Sequence, residues 1–205
     1  MTTLYYAPGA CSIGIHVLLE EIGKPYETKA VSLQKGEQYQ PAFTQLNPKS
    51  KVPTLERDDG SVLTEYPAIA LWLALTNPDK KLLPTDPDGQ ARTLEALDHA
   101  VATIHMQAFG RLFRPGNYTP TESDQEAVKA KGKELAAKAF GIMDERLAGK
   151  DYLMGDFSIA DTGLFYVEFW AKRMGVDLPP NCQAHLDRMM ARPSVQRVIK
   201  AEGLA

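Results

Sequence analysis

The sequence is poor in cysteine, since its 205 residues include only Cys11 and Cys182, which lie far apart. A secreted domain held by disulfides carries several closely spaced cysteines, so the sequence excludes that class. No apolar run reaches the roughly 18 residues that a membrane-spanning helix needs. The first residues also lack the basic and then apolar order of a signal peptide. We therefore expect a cytoplasmic protein with reduced thiols and no membrane partner.

The sequence also lacks an excess of basic residues. Lysine and arginine number 23 against 26 aspartates and glutamates, and the net charge is −3. A nucleic-acid-binding surface needs a basic patch, so we expect no nucleic-acid partner. No histidine and cysteine cluster has the spacing of a metal site, and no glycine-rich loop matches a nucleotide cradle. What the chain does have is 44% hydrophobic residues, enough to bury a sizeable core.

The first part of the chain mixes strand and helix patterns. Residues 2–6 are typical of a short strand, and the apolar residues of 13–22 follow the helical period. The side-chain character of residues 26–33 alternates along the chain, which is typical of a second strand. The pattern continues with a short helix, with strands at 54–57 and 61–63 around the turn Asp58-Asp59-Gly60, and with a helix from about Glu65 to Leu75. This order is the thioredoxin-like layout.

The second part of the chain contains helix patterns only. A proline- and aspartate-rich stretch, residues 77–89, is the best linker candidate. Beyond it, helical periods cover residues 90–113, 122–148, 158–174, 182–191 and 194–201. We therefore predict an α/β domain over residues 1–80 and an all-α domain over residues 88–205.

Four motifs occur in order along the chain: LYYAPGACS, NPKSKVPTL, LTEYPAI and GDFSIAD. Together they resemble a bacterial glutathione S-transferase, closest to the beta class, which is marked by a cysteine on the first turn. The resemblance covers nearly the whole chain. It implies a thioredoxin-like domain that binds glutathione and a helical domain that contributes the electrophile site. It also implies a homodimer, with glutathione as co-substrate and no metal.

Cys11 precedes the first helix, where free N–H groups and the helix dipole favour a thiolate. A small buried hydrophobe is the alternative interpretation. The resemblance implies that Cys11 faces the sulfur of glutathione, and we expect a low-pKa thiol there. Ser12 is the alternative catalytic hydroxyl, because related classes use a serine near this position.

Further glutathione contacts are predicted from the other motifs. Pro53 begins a strand, and a cis Val52–Pro53 bond lets the backbone of Val52 face a peptide ligand. Glu65 and Tyr66 open a helix whose N-terminus binds anions, and the resemblance implies that they hold the γ-glutamyl end. Tyr66 stands where a small residue is usual. The resemblance places Lys35 near the glycine carboxylate.

The helix pattern of residues 90–113 carries the remaining polar candidates. On α-helical geometry, His99, Thr103 and Met106 share one stripe and His105 points about 100° away from Met106. The resemblance places a histidine near glutathione at position 106, which is a methionine here. Either the helix is locally reset and His105 substitutes, or His99 and Thr103 take the polar role. The stripe favours the second option.

The electrophile site is predicted to be apolar, and its expected lining residues are Met106, Phe109, Phe113 and Trp170. The S-x-x-D motif from Ser158 to Asp161 is typical of a capping box that begins a helix. We interpret His16 and His185 as structural, since both lie within periodic helices, and Cys182 as inert.

Three functions fit these observations. The first is a transferase that conjugates glutathione to small hydrophobic electrophiles. The second is a glutathione-dependent thiol-disulfide reductase or peroxidase that uses Cys11, and the third is a non-catalytic glutathione-binding or regulatory protein on the same fold. Conjugation tolerates Cys11→Ala, whereas disulfide reduction does not. The sequence does not specify the electrophile.

Overall fold

The computed structural model describes residues 1–205, and the chain forms two compact units. Unit 1 combines Met1–Leu83 with Met190–Ala205, and unit 2 is Pro84–Met189. No helix in either unit is both long enough and apolar enough to cross a lipid bilayer.

Unit 1 has the predicted thioredoxin-like layout. Its strands and helices are β1 (Thr3–Tyr6), α1 (Ser12–Ile22), β2 (Glu27–Ala30), α2 (Pro41–Thr44), β3 (Thr54–Glu56), β4 (Val62–Thr64), α3 (Tyr66–Leu75) and α9 (Pro193–Ala201). The sheet order is β2-β1-β3-β4, with β1 parallel to β2 and antiparallel to β3. The hairpin turn separates β3 from β4, as predicted.

The registers of the sheet explain its buried face. Leu4 of β1 pairs with Leu55 of β3, and Leu55 pairs with Leu63 of β4. Because side chains alternate along a strand, these residues share one face of the sheet. Leu4 and Leu55 are fully buried, and so are Ile13 and Leu18 of α1. The apolar face of α1 that the helical period predicted therefore contributes to the core of this unit.

Unit 2 consists of helices, as predicted. They are α4 (Pro87–Asp98), a π-helical segment (His99–Phe109), α5 (Gly110–Phe113), α6 (Gln125–Leu147), α7 (Ile159–Met174) and α8 (Pro180–Ala191), the last of which crosses into unit 1 at its end. Short 3₁₀ turns precede α6. The predicted boundaries of α6 and α7 lie within three residues of the observed ones.

The capping box at the start of α7 is confirmed. The Ser158 hydroxyl accepts the N–H of Ala160, and the Asp161 carboxylate accepts the N–H of Ser158 at 2.8 Å. His185 of α8 is fully buried, with Nδ1 2.7 Å from the Glu168 carboxylate of α7. Burial opposes charge on His185, but Glu168 and Asp161 outweigh it and raise the pKa of His185 to about 9. This buried, paired position agrees with the prediction that His185 has a structural role.

The last helix departs from the predicted domain division. The helical period over residues 194–201 predicted a helix of the all-α domain, but α9 packs against α1 within unit 1. Glu202, just beyond α9, is buried and connects two parts of this unit. One of its carboxylate oxygens lies 2.8 Å from His16 Nδ1 on α1, and the other accepts the N–H of Gly9 at 2.8 Å. His16 is thus structural, as we expected.

Candidate functional site

The turn between β1 and α1 presents Cys11. The turn is closed by Ser12, which is fully buried: its hydroxyl accepts the Ala7 N–H at 3.2 Å and lies 3.3 Å from the Ala7 carbonyl. Ser12 was predicted as the alternative catalytic hydroxyl. In the structure the Ser12 hydroxyl instead makes both of its hydrogen bonds to the backbone of Ala7 in the turn. The side chain is therefore not presented to a ligand.

Cys11 and Val52 are brought together, as the motifs predicted. The Val52–Pro53 peptide bond is cis. The half-buried Cys11 thiol donates to the Val52 carbonyl, with Sγ 3.4 Å from the oxygen. A thiol and the backbone of the residue before the cis proline therefore lie side by side at the start of α1.

The electrostatics of Cys11 contradict the predicted low pKa. Burial raises the pKa of the Cys11 thiol to about 12. The N–H groups of Cys11 and Ser12 and the charge of Lys51 oppose this shift, and Glu65 adds to it. The helix terminus does favour the anion, as the sequence indicated, but desolvation is the larger effect. Cys11 is therefore a neutral thiol near pH 7.

This position predicts an unusual alkylation profile. We expect the rate of Cys11 alkylation by iodoacetamide to keep rising beyond pH ~8.5, the ordinary midpoint for a cysteine. The measurement is mass spectrometry of quenched samples between about pH 7 and pH 10. Cys11→Ala is the control, since the remaining Cys182 is buried and its pKa is raised by burial. A plateau in the rate below pH ~8 would contradict the raised pKa.

Glu65 directly precedes α3 and has an unusual backbone conformation. Its φ of 71° lies in the region that favours glycine. Its half-exposed carboxylate pairs with Lys49 Nζ at 2.7 Å, and the same ammonium donates to Thr64 Oγ1 at 2.9 Å. Strained backbone of this kind clusters at ligand-binding sites. Lys49 was not among the predicted site residues, although it stands in the NPKSKVPTL motif four residues before Pro53.

The remaining candidates of unit 1 differ in accessibility. The Tyr66 side chain is buried at the first position of α3, so a ligand at this helix end would meet backbone and not the phenol. Lys35 is exposed in the turn after β2, and its side chain has no ion pair. The Lys35 side chain makes no contact with Cys11, and its role stays a prediction.

The π-helical segment changes the interpretation of the second unit. The predicted stripe of His99, Thr103 and Met106 assumed α-helical spacing, but His99–Phe109 has the wider turn of a π-helix. On this wider turn, residues three apart such as Thr103 and Met106 no longer share a face, so the predicted stripe does not form. His99 Nε2 donates to the Ala139 carbonyl of α6 at 3.2 Å, so the His99 ring has a structural contact with α6. The helix is therefore locally reset, as the option that the stripe disfavoured assumed, and the polar role of His105 near glutathione stays a prediction.

His105 lies in an aromatic cluster with residues of α7. Its Nδ1 is 3.3 Å from the Tyr166 hydroxyl, and its ring meets the Trp170 ring edge-on at 4.7 Å between centroids. Phe113 packs against the same indole at 5.1 Å and remains 47% exposed. The cluster thus combines a histidine with an apolar surface.

The predicted electrophile residues are only partly accessible. Met106 and Phe113 expose large apolar side chains, as a binding surface requires. Phe109 is fully buried against Phe140 and Trp170, so it supports the surface from beneath and cannot contact a ligand. Trp170 exposes only a small edge. No group of three or more His, Cys, Asp or Glu side chains is arranged to hold a metal ion.

Comparisons with known proteins agree with this fold and arrangement. Residues 9–76 match the family model of the glutathione S-transferase N-terminal domain, and residues 68–193 match that of the C-terminal domain. Glutathione S-transferase GstA of Escherichia coli O157:H7 is 37% identical over 98% of both chains.

Solved structures give the same result. A Sulfitobacter glutathione transferase homologue with bound glutathione superposes with a TM-score of 0.92 at 32% identity, covering 100% of this chain and 99% of its own. A beta-class glutathione S-transferase from Sphingomonas chungbukensis gives a TM-score of 0.86 at 33% identity, with 99% and 100% covered. The chain described here therefore belongs to the glutathione S-transferase family.

Proposed function

We propose that this protein is a glutathione transferase that conjugates glutathione to small hydrophobic electrophiles. The observation that carries the proposal is the placement of Cys11 Sγ 3.4 Å from the carbonyl of Val52, in a chain of this family. The Val52 backbone offers hydrogen bonds to a peptide, and the Glu65 carboxylate offers a partner for its ammonium. These groups fit a tripeptide that carries a thiol.

The proposed reaction is a substitution or addition by sulfur. Glutathione supplies a thiolate, whose electron pair forms a bond to the electrophilic carbon. In substitution the leaving group departs with the electron pair of its bond to that carbon, and in addition the π electrons of the acceptor double bond form a carbanion that takes up a proton from solvent. The proton of the glutathione thiol passes to solvent. Cys11, held neutral by burial, donates its S–H to the thiolate and so favours that anion without competing for the charge. Met106 and Phe113 of unit 2 provide apolar surface for the electrophile.

The raised pKa disfavours the reductase alternative. Attack on a disulfide needs a thiolate, and Cys11 is mostly protonated near pH 7. Cys182 is fully buried, with its Sγ 3.5 Å from the Phe140 carbonyl, and is not available as a resolving thiol. We also propose a cytoplasmic homodimer, with light scattering expected to give twice the chain mass of 22.6 kDa.

The test of this function is a comparison of two activities in one variant. Cys11→Ala is expected to keep conjugation of 1-chloro-2,4-dinitrobenzene within about tenfold of the parent, a loss of at most about 1.4 kcal/mol of transition-state stabilisation. Reduction of a mixed disulfide is expected to be slow in the parent, because Cys11 is mostly protonated, and absent in the variant. Loss of all conjugation in a folded Cys11→Ala protein would make Cys11 the nucleophile and overturn the mechanism.

A second prediction distinguishes the two histidines. His105→Ala is expected to lower kcat/KM for conjugation by about tenfold or more, because His105 joins the exposed aromatic surface of unit 2. His99→Ala is expected to change it by less than about threefold, since the His99 ring bonds the Ala139 carbonyl. Steady-state kinetics of both variants, with matched melting curves, provide the measurement. A larger loss of kcat/KM in His99→Ala than in His105→Ala would instead support the polar role of His99 and Thr103.

A further inference from the structure

A lysine and a glutamate form an exposed ion pair beside the proposed glutathione residues of unit 1. Lys49 Nζ lies 2.7 Å from Glu65 Oε1 and also donates to Thr64 Oγ1 at 2.9 Å. The two charged side chains are 49% and 58% exposed. Such a pair contributes little to stability, because water solvates both charges and screens their attraction. Both charges are open to a ligand that approaches from solvent.

The backbone on both sides of this ion pair is held in a defined conformation. The buried Asn47 side chain accepts the Lys49 N–H at 3.0 Å, and its amide donates to the Lys51 carbonyl and to Thr54 Oγ1, each at 2.8 Å. These three bonds fix the loop that carries Lys49. Glu65 has a φ of 71°, a conformation that the surrounding structure must impose on a residue with a side chain. The two charges are therefore presented by preorganised backbone.

The N-terminal end of α3 offers few groups of its own to an anion. Pro67, at the second position of the helix, has no N–H. The Tyr66 side chain at the first position is buried, so its phenol does not face solvent. A carboxylate at this helix end thus meets no exposed side-chain donor on the first turn. The ammonium of Lys49, paired with the residue just before the helix, supplies such a donor.

We propose that Lys49 binds the α-carboxylate of the γ-glutamyl group while Glu65 binds its ammonium, an inference that rests on the proposed binding of glutathione. The γ-glutamyl end carries both charges on one carbon, so they lie side by side as the two protein charges do. When the two pairs oppose each other, each charge meets an opposite one. Lys49 engages only Oε1 of Glu65, and Oε2 has no protein partner, so it can accept from the ligand ammonium.

The test compares S-methyl glutathione with an analogue that lacks only the α-carboxylate, S-methyl-(4-aminobutyryl)cysteinylglycine. Calorimetry of the whole protein measures the affinity of both ligands. We expect Lys49→Met to weaken binding of S-methyl glutathione by about tenfold or more, the ordinary effect of one charge-assisted hydrogen bond. Binding of the aminobutyryl analogue should weaken by less than about threefold, because this ligand has no carboxylate for Lys49 to bind. Lys49→Arg keeps a cation and should bind S-methyl glutathione within about threefold of the parent.

Lys131→Met is the matched control, since Lys131 and Glu134 form an exposed ion pair of the same kind at 2.8 Å on α6. It is expected to leave both affinities unchanged, and both methionine variants should keep the melting temperature of the parent. Equal weakening of the two ligands by Lys49→Met would show that Lys49 only positions Glu65, and it overturns the proposal. So does undiminished binding of S-methyl glutathione by Lys49→Met, and neither result affects the transferase assignment. A parent protein that does not bind S-methyl glutathione at millimolar concentration overturns the proposed function as well.

Discussion

Replacing Glu202 with alanine is expected to lower the free energy of unfolding by about 3–5 kcal/mol, the usual cost of removing one partner from a buried polar pair. The Glu202 carboxylate is enclosed and serves two partners at 2.8 Å, His16 Nδ1 and the Gly9 N–H. Without it, both groups stay buried and lose their hydrogen bonds, and alanine also leaves a cavity.

The measurement is urea unfolding of the Glu202→Ala protein beside Glu134→Ala, whose carboxylate is 69% exposed and pairs only with Lys131 on the surface of α6. The control is expected to change stability by less than about 1 kcal/mol. A double-mutant cycle with His16→Ala should show strong coupling, because either single change already breaks the pair. Equal losses in the Glu202 and Glu134 variants would show that the buried contact contributes little.

Replacing Asp161 with alanine is expected to destabilise the protein by a similar amount. Asp161 is fully buried and accepts three hydrogen bonds, from the Leu153 N–H, the Ser158 N–H and the Ser158 hydroxyl. It also faces the His185 ring at 3.3 Å. Removing the carboxylate leaves these donors unsatisfied and deprives His185 of one of its two carboxyl neighbours, so we expect a loss of about 3–5 kcal/mol.

Ser158→Ala provides the matched comparison for Asp161→Ala. It removes the capping hydroxyl but keeps the Asp161 carboxylate and its bonds to backbone, so about 1 kcal/mol of lost stability is expected. Thermal and urea unfolding of both variants measure the difference. If Ser158→Ala costs as much as Asp161→Ala, the capping hydroxyl carries the stability of this turn and the carboxylate network does not.

The sequence predicted the order of strands and helices well, because the relevant signals are local. The turn at Gly60, the apolar period of α1 and the capping box at Ser158 each act within a few residues. The family motifs added Cys11 and Val52 as neighbours, and the structure places them in contact.

What the sequence did not predict depends on distant parts of the chain. Apolar periodicity did not distinguish the π-helical His99–Phe109 from an α-helix. A helix terminus suggested a thiolate at Cys11, whereas the degree of burial, which reverses the pKa shift, follows from tertiary packing. The hydrogen bond between Glu202 and Gly9 joins residues 193 positions apart, and no local sequence pattern predicts such a contact.

The packing of α9 against α1 has a consequence for biosynthesis. A ribosome makes a chain from its N-terminus, and domains generally fold as units in that order. Here residues 84–189 are translated between the two segments of unit 1. The partner of His16 therefore emerges only after all of unit 2, which can complete its own helices first. The hydrogen bond from the Gly9 N–H, in the turn that carries Cys11, therefore forms only after Glu202 has been translated.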